Sequence, residues 1–265
     1  MFKRSKNFPS SPPVMKPLLT DIAFTRTDNY PGRPTIVFLH DSLGCITLWR
    51  DFPEKLGALT NCNVLVYDRQ GYGKSCPFAY TERDALYMEH EADILMDLLQ
   101  LWGIQQPILF GHSDGGSIAL IAAGKYPGKI AAVITEGAHV FVEDITVAGI
   151  KQAAEQYRTT NLKQKLEKYH GTNTEAMFWA WAATWVTPAF ANWNIEHFLP
   201  AVQCPVLVMQ GTDDEYGTLA QVESITTKTK GSSSAFILPH VKHTPHKEAP
   251  DAVLQRAAAF IKQIV

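Results

Sequence analysis

Gly111-His112-Ser113-Asp114-Gly115 puts a serine at the centre of a Gly-x-Ser-x-Gly run. A serine hydroxyl is a weak nucleophile until a base removes its proton, and the base needs a third group to orient it. Two later stretches supply candidates for both tasks. Gln210-Gly-Thr-Asp-Asp-Glu-Tyr-Gly217 carries the carboxylates Asp213, Asp214 and Glu215. Pro239-His-Val-Lys-His-Thr-Pro-His-Lys-Glu-Ala-Pro250 carries His240, His243 and His246. Serine, then acid, then histidine is the order of a nucleophilic triad assembled at the C-terminal ends of successive strands. The competing interpretations are a glycine-rich turn without chemistry, a cation loop at the carboxylates and a zinc site at the histidines. Against metal, the chain has neither a twelve-residue calcium pattern nor a His-Glu-x-x-His helix, and Pro239 and Pro245 interrupt the histidine segment. No metal and no cofactor are expected.

These groups need a rigid frame. Residues 107–111 form a short apolar run that reads as a buried parallel strand, and 117–123, small and aliphatic, read as a buried helix. A strand that becomes a helix within one residue requires a strained turn, which small residues two before and two after the serine would relieve. The hydroxyl is then exposed at the end of the sheet, and the Asp114 N–H at the helix start can face a developing oxyanion. Segments 35–39, 63–67, 129–135, 204–209 and 234–238 read as further buried strands, and 21–27 alternates like an edge strand. Helices are expected over 48–59, 81–102 and 251–265. Strands alternating with helices predict an α/β fold with a mostly parallel, doubly wound sheet. Residues 139–197 break the alternation with helix-like segments at 145–159, 161–169 and 174–185, and read as a helical lid inserted between two strands. The expected organisation is a lead-in over 1–20, a core over 21–138 and 198–265, and a lid over 139–197.

With these motifs in place, the chain resembles the α/β-hydrolase superfamily over roughly residues 20–265. The resemblance rests on the elbow at 111–115, the loop Asp68-Arg-Gln-Gly-Tyr-Gly-Lys-Ser75, the turn Gly211-Thr-Asp-Asp214 and the segment from His243 to Pro250. By position it implies Ser113 as nucleophile, His243 as general base and then acid, and Asp214 as the orienting carboxylate, with Asp213 the next choice. It also implies a second oxyanion donor after the strand at 35–39. Relatives usually have His-Gly-x there; here the run is His40-Asp41-Ser42, so the Ser42 N–H takes the donor position and Asp41 replaces the glycine. Esterase-like members with a helical lid suggest hydrolysis of a carboxylic ester or related acyl bond through an acyl-enzyme. Alternatives are carbon–carbon bond hydrolysis on the same triad and a non-catalytic ligand receptor or scaffold. An aspartate nucleophile, used by epoxide hydrolases and haloalkane dehalogenases, is absent at position 113.

Asp41 and Asp114 are both expected near a bound acyl group. A carboxylate there opposes an oxyanion unless it is turned away, solvated or paired with a cation. It could bind a substrate ammonium; otherwise Asp114 suits the helix start, and Asp41 faces water or pairs with Arg69. In the aromatic run from Phe178 to Trp185, Trp181 and Trp185 are candidates for an apolar pocket wall, although such a stripe is equally a core feature. His112 and His246 are expected to be structural.

Composition sets the outer bounds. The chain has 265 residues, 46% of them hydrophobic, and a net charge of −2, enough for a sizeable core and without the basic footprint of a nucleic-acid binder. No apolar run approaches membrane-spanning length, and the basic start lacks an apolar signal region. Four scattered cysteines, Cys45, Cys62, Cys76 and Cys204, read as free thiols of a cytoplasmic protein, the alternative being a secreted protein with two disulfides; the partner implied by the hydrolase resemblance is a small-molecule substrate.

Overall fold

The computed structural model describes residues 19–78 and 83–265. Among them, seven strands form one sheet in the order β1-β3-β2-β4-β5-β6-β7. The strands are β1 (Phe24–Thr27), β2 (Thr35–Leu39), β3 (Asn63–Tyr67), β4 (Ile108–His112), β5 (Ala132–Glu136), β6 (Val206–Gly211) and β7 (Ser233–Leu238). All neighbouring pairs are parallel except β1 with β3. Every residue of β2, β3, β4, β5 and β6 is buried, as expected for strands covered on both faces. The helices are α1 (Phe52–Thr60), α2 (Tyr87–Leu101), α3 (Asp114–Lys125), α4 (Asp144–Thr159), α5 (Leu162–His170), α6 (Thr174–Trp185), α7 (Leu219–Lys228), α8 (Pro245–Glu248) and α9 (Pro250–Ile261).

Strand alternation divides the core. Val37, Leu39, Leu65, Leu109 and Val133 face the cluster that includes α2, α3 and α6. Ile36, Phe38, Val64, Phe110 and Ile134 face the one that includes α1 and α9. No described helix is long and apolar enough to cross a membrane. The four cysteines are unpaired; Cys45 and Cys62 are buried, whereas Cys76 and Cys204 are partly exposed.

Several boundaries differ from those expected. The helix expected over 48–59 is broken. A helical turn at Ile46–Trp49 ends at Arg50, whose φ is 54°, and α1 begins afresh with Pro53 in its first turn. Proline lacks an N–H and fits a helix start better than a helix interior. The edge strand is confined to Phe24–Thr27 and is largely exposed, because Asp21 belongs to a short helical turn. Of the helix expected over 81–102, Thr81 and Glu82 lie outside the described residues; the described helix runs from Tyr87 to Leu101. Residues 1–18 of the expected lead-in also lie outside. Between β5 and β6, α4, α5 and α6 occupy the insertion expected to be helical.

The elbow depends on close approach. A Cβ on Gly115 would lie 2.1 Å from the Leu39 carbonyl oxygen and 2.8 Å from that of His40; one on Gly111 would lie 2.3 Å from the Gly115 oxygen. Backbone cannot yield as a side-chain tip can. Gly115→Ala is therefore expected to destabilise the fold by about 1–3 kcal/mol, the usual cost of overpacking. Urea unfolding checks this, and an unchanged midpoint would contradict the packing argument.

Candidate active site

Ser113 joins β4 to α3 with φ 52° and ψ −119°, outside the conformations that residues with a Cβ readily adopt. Its N–H donates to the Glu136 carbonyl oxygen at 2.8 Å, and its own carbonyl accepts the N–H groups of Gly116 (2.9 Å) and Ser117 (3.1 Å). The turn is thus pinned to β5 on one side and to the first helical turn on the other.

His243 is paired with Asp214. Its Nδ1–H donates to Asp214 Oδ1 at 2.8 Å and lies 3.0 Å from Oδ2, leaving Nε2 as the ring nitrogen that can accept a proton. Asp213 lies elsewhere: it accepts from the Thr212 hydroxyl at 2.8 Å and stands 3.8 Å from the exposed His240. The Tyr216 N–H donates to Asp214 Oδ1 at 2.9 Å. The Tyr216 ring lies 4.8 Å from that of His243. Gly137, at φ 55°, makes room for the pair: a Cβ there would sit 2.9 Å from His243 Nδ1 and 3.3 Å from Asp214 Oδ2.

Burial and charge oppose each other in this pair. Burial alone would raise the Asp214 pKa, but the His243 charge and hydrogen bond outweigh it and hold the carboxyl below its usual range. Burial alone would lower that of His243; the Asp214 charge and hydrogen bond, with Asp41 and Glu215, raise it instead.

The loop bearing His243 is held from behind. The His112 Nε2–H donates to the His243 carbonyl at 2.8 Å. His246 Nδ1 lies 2.6 Å from Glu136 Oε2, both side chains buried, and its ring stacks 4.5 Å from that of Trp49. The three histidines of the segment therefore have separate surroundings: His240 is exposed, His243 faces Asp214, and His246 faces Glu136. Among the described residues, no group of three or more His, Cys, Asp or Glu could hold a metal.

Ser42 and Asp114 approach the same cavity as Ser113 and His243. It measures about 60 Å³, and its wall includes Leu43 together with Thr146 and Ile150 of α4 and Trp181 and Trp185 of α6. Both tryptophans are also core residues, 6% and 2% exposed. Asp41 lines the cavity too; its side chain is 27% exposed, and among the described residues its carboxylate makes no ion pair with Arg69. Its Oδ1 lies 3.7 Å from His112 Nδ1. Burial opposes its charge, and the nearby His112, Lys247 and His40 more than offset this, holding the group well below the usual carboxylate range. Asp114 points inward: Tyr87 Oη donates to Oδ2 at 3.0 Å, and Trp185 Nε1 donates to that Tyr87 oxygen at 3.0 Å.

Of the wall residues not singled out from the sequence, two pack beside the His243–Asp214 pair. His139 is buried, donates from Nε2 to the Tyr216 carbonyl at 2.9 Å and packs 5.9 Å from the His243 ring. Tyr216 follows Asp214 by two residues, a spacing at which an aspartate readily caps a backbone N–H; that was the available signal. His139 had none beyond its place shortly after β5.

A family model described as "Alpha/beta hydrolase family" matches residues 36–256. The human protein named Serine hydrolase BPHL (Homo sapiens) is 31% identical over 210 residues, covering 75% of this chain and 69% of its own length. Two solved structures share the fold. An alpha/beta hydrolase enzyme from a Medee basin deep-sea metagenome library superposes with a TM-score of 0.72 at 19% identity, over 90% of this chain and 93% of its own. A carboxylesterase structure from the thaumarchaeon Nitrososphaera gargenis gives 0.74 at 19% identity, over 92% and 96%.

The His243–Asp214 pair sets a pH dependence. His243 must be neutral to accept a proton, so activity should fall as pH drops through its raised pKa. The acid limb of kcat/KM is expected above 6.5, the ordinary histidine value, and should move down in Asp214→Asn. A pH–rate profile checks both; a wild-type limb at or below 6.5 would contradict the pairing argument.

Proposed function

The chain belongs to the alpha/beta hydrolase family, and we propose that within it the protein is a serine hydrolase of short-chain carboxylic esters. One observation carries this reading: Ser113, in a strained strand-to-helix turn, lines one cavity with His243, whose Nδ1–H is committed to Asp214 at 2.8 Å. In the proposed reaction, Ser113 Oγ attacks the acyl carbon while His243 Nε2 takes its proton. The carbonyl oxygen becomes an oxyanion facing the Ser42 and Asp114 N–H groups. Collapse breaks the bond to the leaving alkoxide, which His243 protonates. Water, deprotonated by the same histidine, then attacks the acyl-enzyme and releases the acid.

The cavity wall supports a small acyl group. Bulky side chains of Ile150, Trp181 and Trp185 line the space beside Ser113, which favours a short acyl group over a long chain. The helices α4 and α6 act as a lid that sets this limit through Ile150, Trp181 and Trp185. Asp114 is already engaged by Tyr87, so a substrate ammonium would have to rely on Asp41 alone; an uncharged ester is the simpler fit.

Ser113→Ala and His243→Ala are each expected to reduce kcat for p-nitrophenyl acetate by roughly 10⁶-fold, as when a triad acts as a unit, with the fold retained. Asp214→Asn should lose about 10⁴-fold, and Asp213→Asn little. Steady-state kinetics on purified variants tests this. Near-normal turnover by Ser113→Ala would overturn the serine-hydrolase reading, and a crippled Asp213→Asn beside an active Asp214→Asn would reassign the acid. Normal fold and serine reactivity without turnover of any ester would favour carbon–carbon bond hydrolysis.

Trp181→Leu tests the size limit. The ratio of kcat/KM for p-nitrophenyl hexanoate over acetate should rise about ten-fold or more, the scale at which a pocket senses added methylenes. The melting temperature should also fall, because Trp181 packs 5.8 Å from Phe178. An unchanged ratio would make it a core residue alone.

A further inference from the structure

Arg69 is a fully buried cation to which the mechanism above assigns no task. Its side chain is 0% exposed, and its guanidinium lies 4.6 Å from the centre of the Tyr72 ring. Nη2 donates to the carbonyl oxygens of Asp41 (3.0 Å) and His40 (3.4 Å). Nη1 stands 3.9 Å from Asp114 Oδ2. One side chain thus bridges the loop carrying the Ser42 N–H and the residue carrying the Asp114 N–H.

The geometry of the first contact has a directional consequence. In a trans peptide the carbonyl and the following N–H point in opposite directions. The Asp41 carbonyl is held by Arg69 Nη2, by the His40 Nδ1–H at 2.7 Å and by the Gly44 N–H at 3.2 Å. His40 is itself fixed in that tautomer, because its Nε2 accepts the Arg69 backbone N–H at 3.0 Å. With its carbonyl turned to Arg69, the Asp41–Ser42 peptide must aim its N–H the other way, toward the cavity that Ser42 lines. The second contact is electrostatic. Asp114 is 1% exposed, and a buried carboxylate beside a developing oxyanion opposes its formation unless a cation stands near.

We infer that Arg69 is a positioning residue of the oxyanion hole: it fixes the Ser42 N–H toward the cavity and offsets the Asp114 carboxylate behind the other donor. This rests on Ser113 being the nucleophile. The contribution is specific to the transition state, so ground-state substrate binding should be nearly unaffected.

The test compares Arg69→Gln and Arg69→Lys with the wild type, using p-nitrophenyl acetate turnover and inhibition by a short alkyl trifluoromethyl ketone. Serine adds to that ketone's carbonyl carbon, and the resulting hemiketal oxyanion occupies the hole. Rates are divided by the concentration of sites titrated with a fluorophosphonate, so that misfolded protein does not count. Arg69→Gln is expected to lower kcat per titrated site by at least ten-fold, approaching the roughly 10²–10³-fold loss that follows removal of an oxyanion donor. The ketone inhibition constant should rise in the same proportion, with KM within two-fold. Arg69→Lys keeps the charge but has no fork to span both contacts, and should fall between Arg69→Gln and the wild type. Normal kcat per site, or a kcat loss without weaker ketone inhibition, would overturn the inference. Should Arg69→Gln fail to fold, the same two readings on Arg69→Lys decide. Ser113→Ala run alongside separates the cases: turnover by that variant would refute the nucleophile, whereas its inactivity beside normal Arg69 variants would refute only the role of Arg69.

Discussion

The site depends on the backbone of one residue. Ser113 holds a positive φ of 52° although it carries a Cβ. Such a conformation costs on the order of 1–3 kcal/mol and persists only where the surroundings over-determine it. Here β4 and β5 are in register from Ile108 opposite Ala132 to His112 opposite Glu136, and the Ser113 N–H adds one more bond to the end of that ladder. The first turn of α3 captures the serine's carbonyl. A side chain is absent at Gly115, where the helix start crosses the end of β2, and another at Gly111, where β4 passes that same helical turn, so helix and strands meet backbone to backbone. A longer connection would remove the strain and with it the fixed placement of the hydroxyl.

The same economy recurs around the turn. Glu136 holds the serine N–H with its carbonyl and His246 with its carboxylate, so one residue at the end of β5 braces both the elbow and the segment of His243. Asp68, at the end of β3, accepts the Ile46 N–H at 2.7 Å and the Lys74 N–H at 2.8 Å, fastening the loop that follows Ser42 to its neighbour. His170, at the end of α5, accepts the Gly73 N–H at 2.9 Å and donates to the Leu43 carbonyl at 3.1 Å. The helical insertion is therefore tied to the loop that carries Ser42 and also supplies part of the cavity wall. Movement of α5 and α6 would be felt at the side of the cavity lined by Ser42 and Leu43.

Much of the frame was legible in the sequence because fully buried parallel strands are short apolar runs, and those at 35–39 and 63–67 coincide with β2 and β3. The membership in the alpha/beta hydrolase family and the mostly parallel sheet followed from the elbow and its flanking elements. What escaped depends on backbone direction or on distant contacts. Periodicity ran through Arg50, because Trp49, Phe52 and Leu56 keep helical spacing across a break made by a single positive φ. Spacing alone could not choose between Asp213 and Asp214, which differ by which neighbour turns its carboxylate inward. Pairing with Arg69 was one alternative for Asp41; Arg69 is buried and reaches the Asp41 carbonyl instead of its carboxylate, a contact between residues 28 apart in sequence. His139 and Tyr216 enter the cavity wall only because β5 and β6 are adjacent in the sheet.

The central claim is that Ser113 is a nucleophile activated by His243. The most direct measurement is labelling of the native protein with a fluorophosphonate, followed by intact mass and peptide mapping, in wild type and His243→Ala. The account predicts one adduct per chain, located on Ser113, and labelling that slows sharply when His243 is removed. An adduct on another residue, or no adduct in folded wild-type protein, would contradict it.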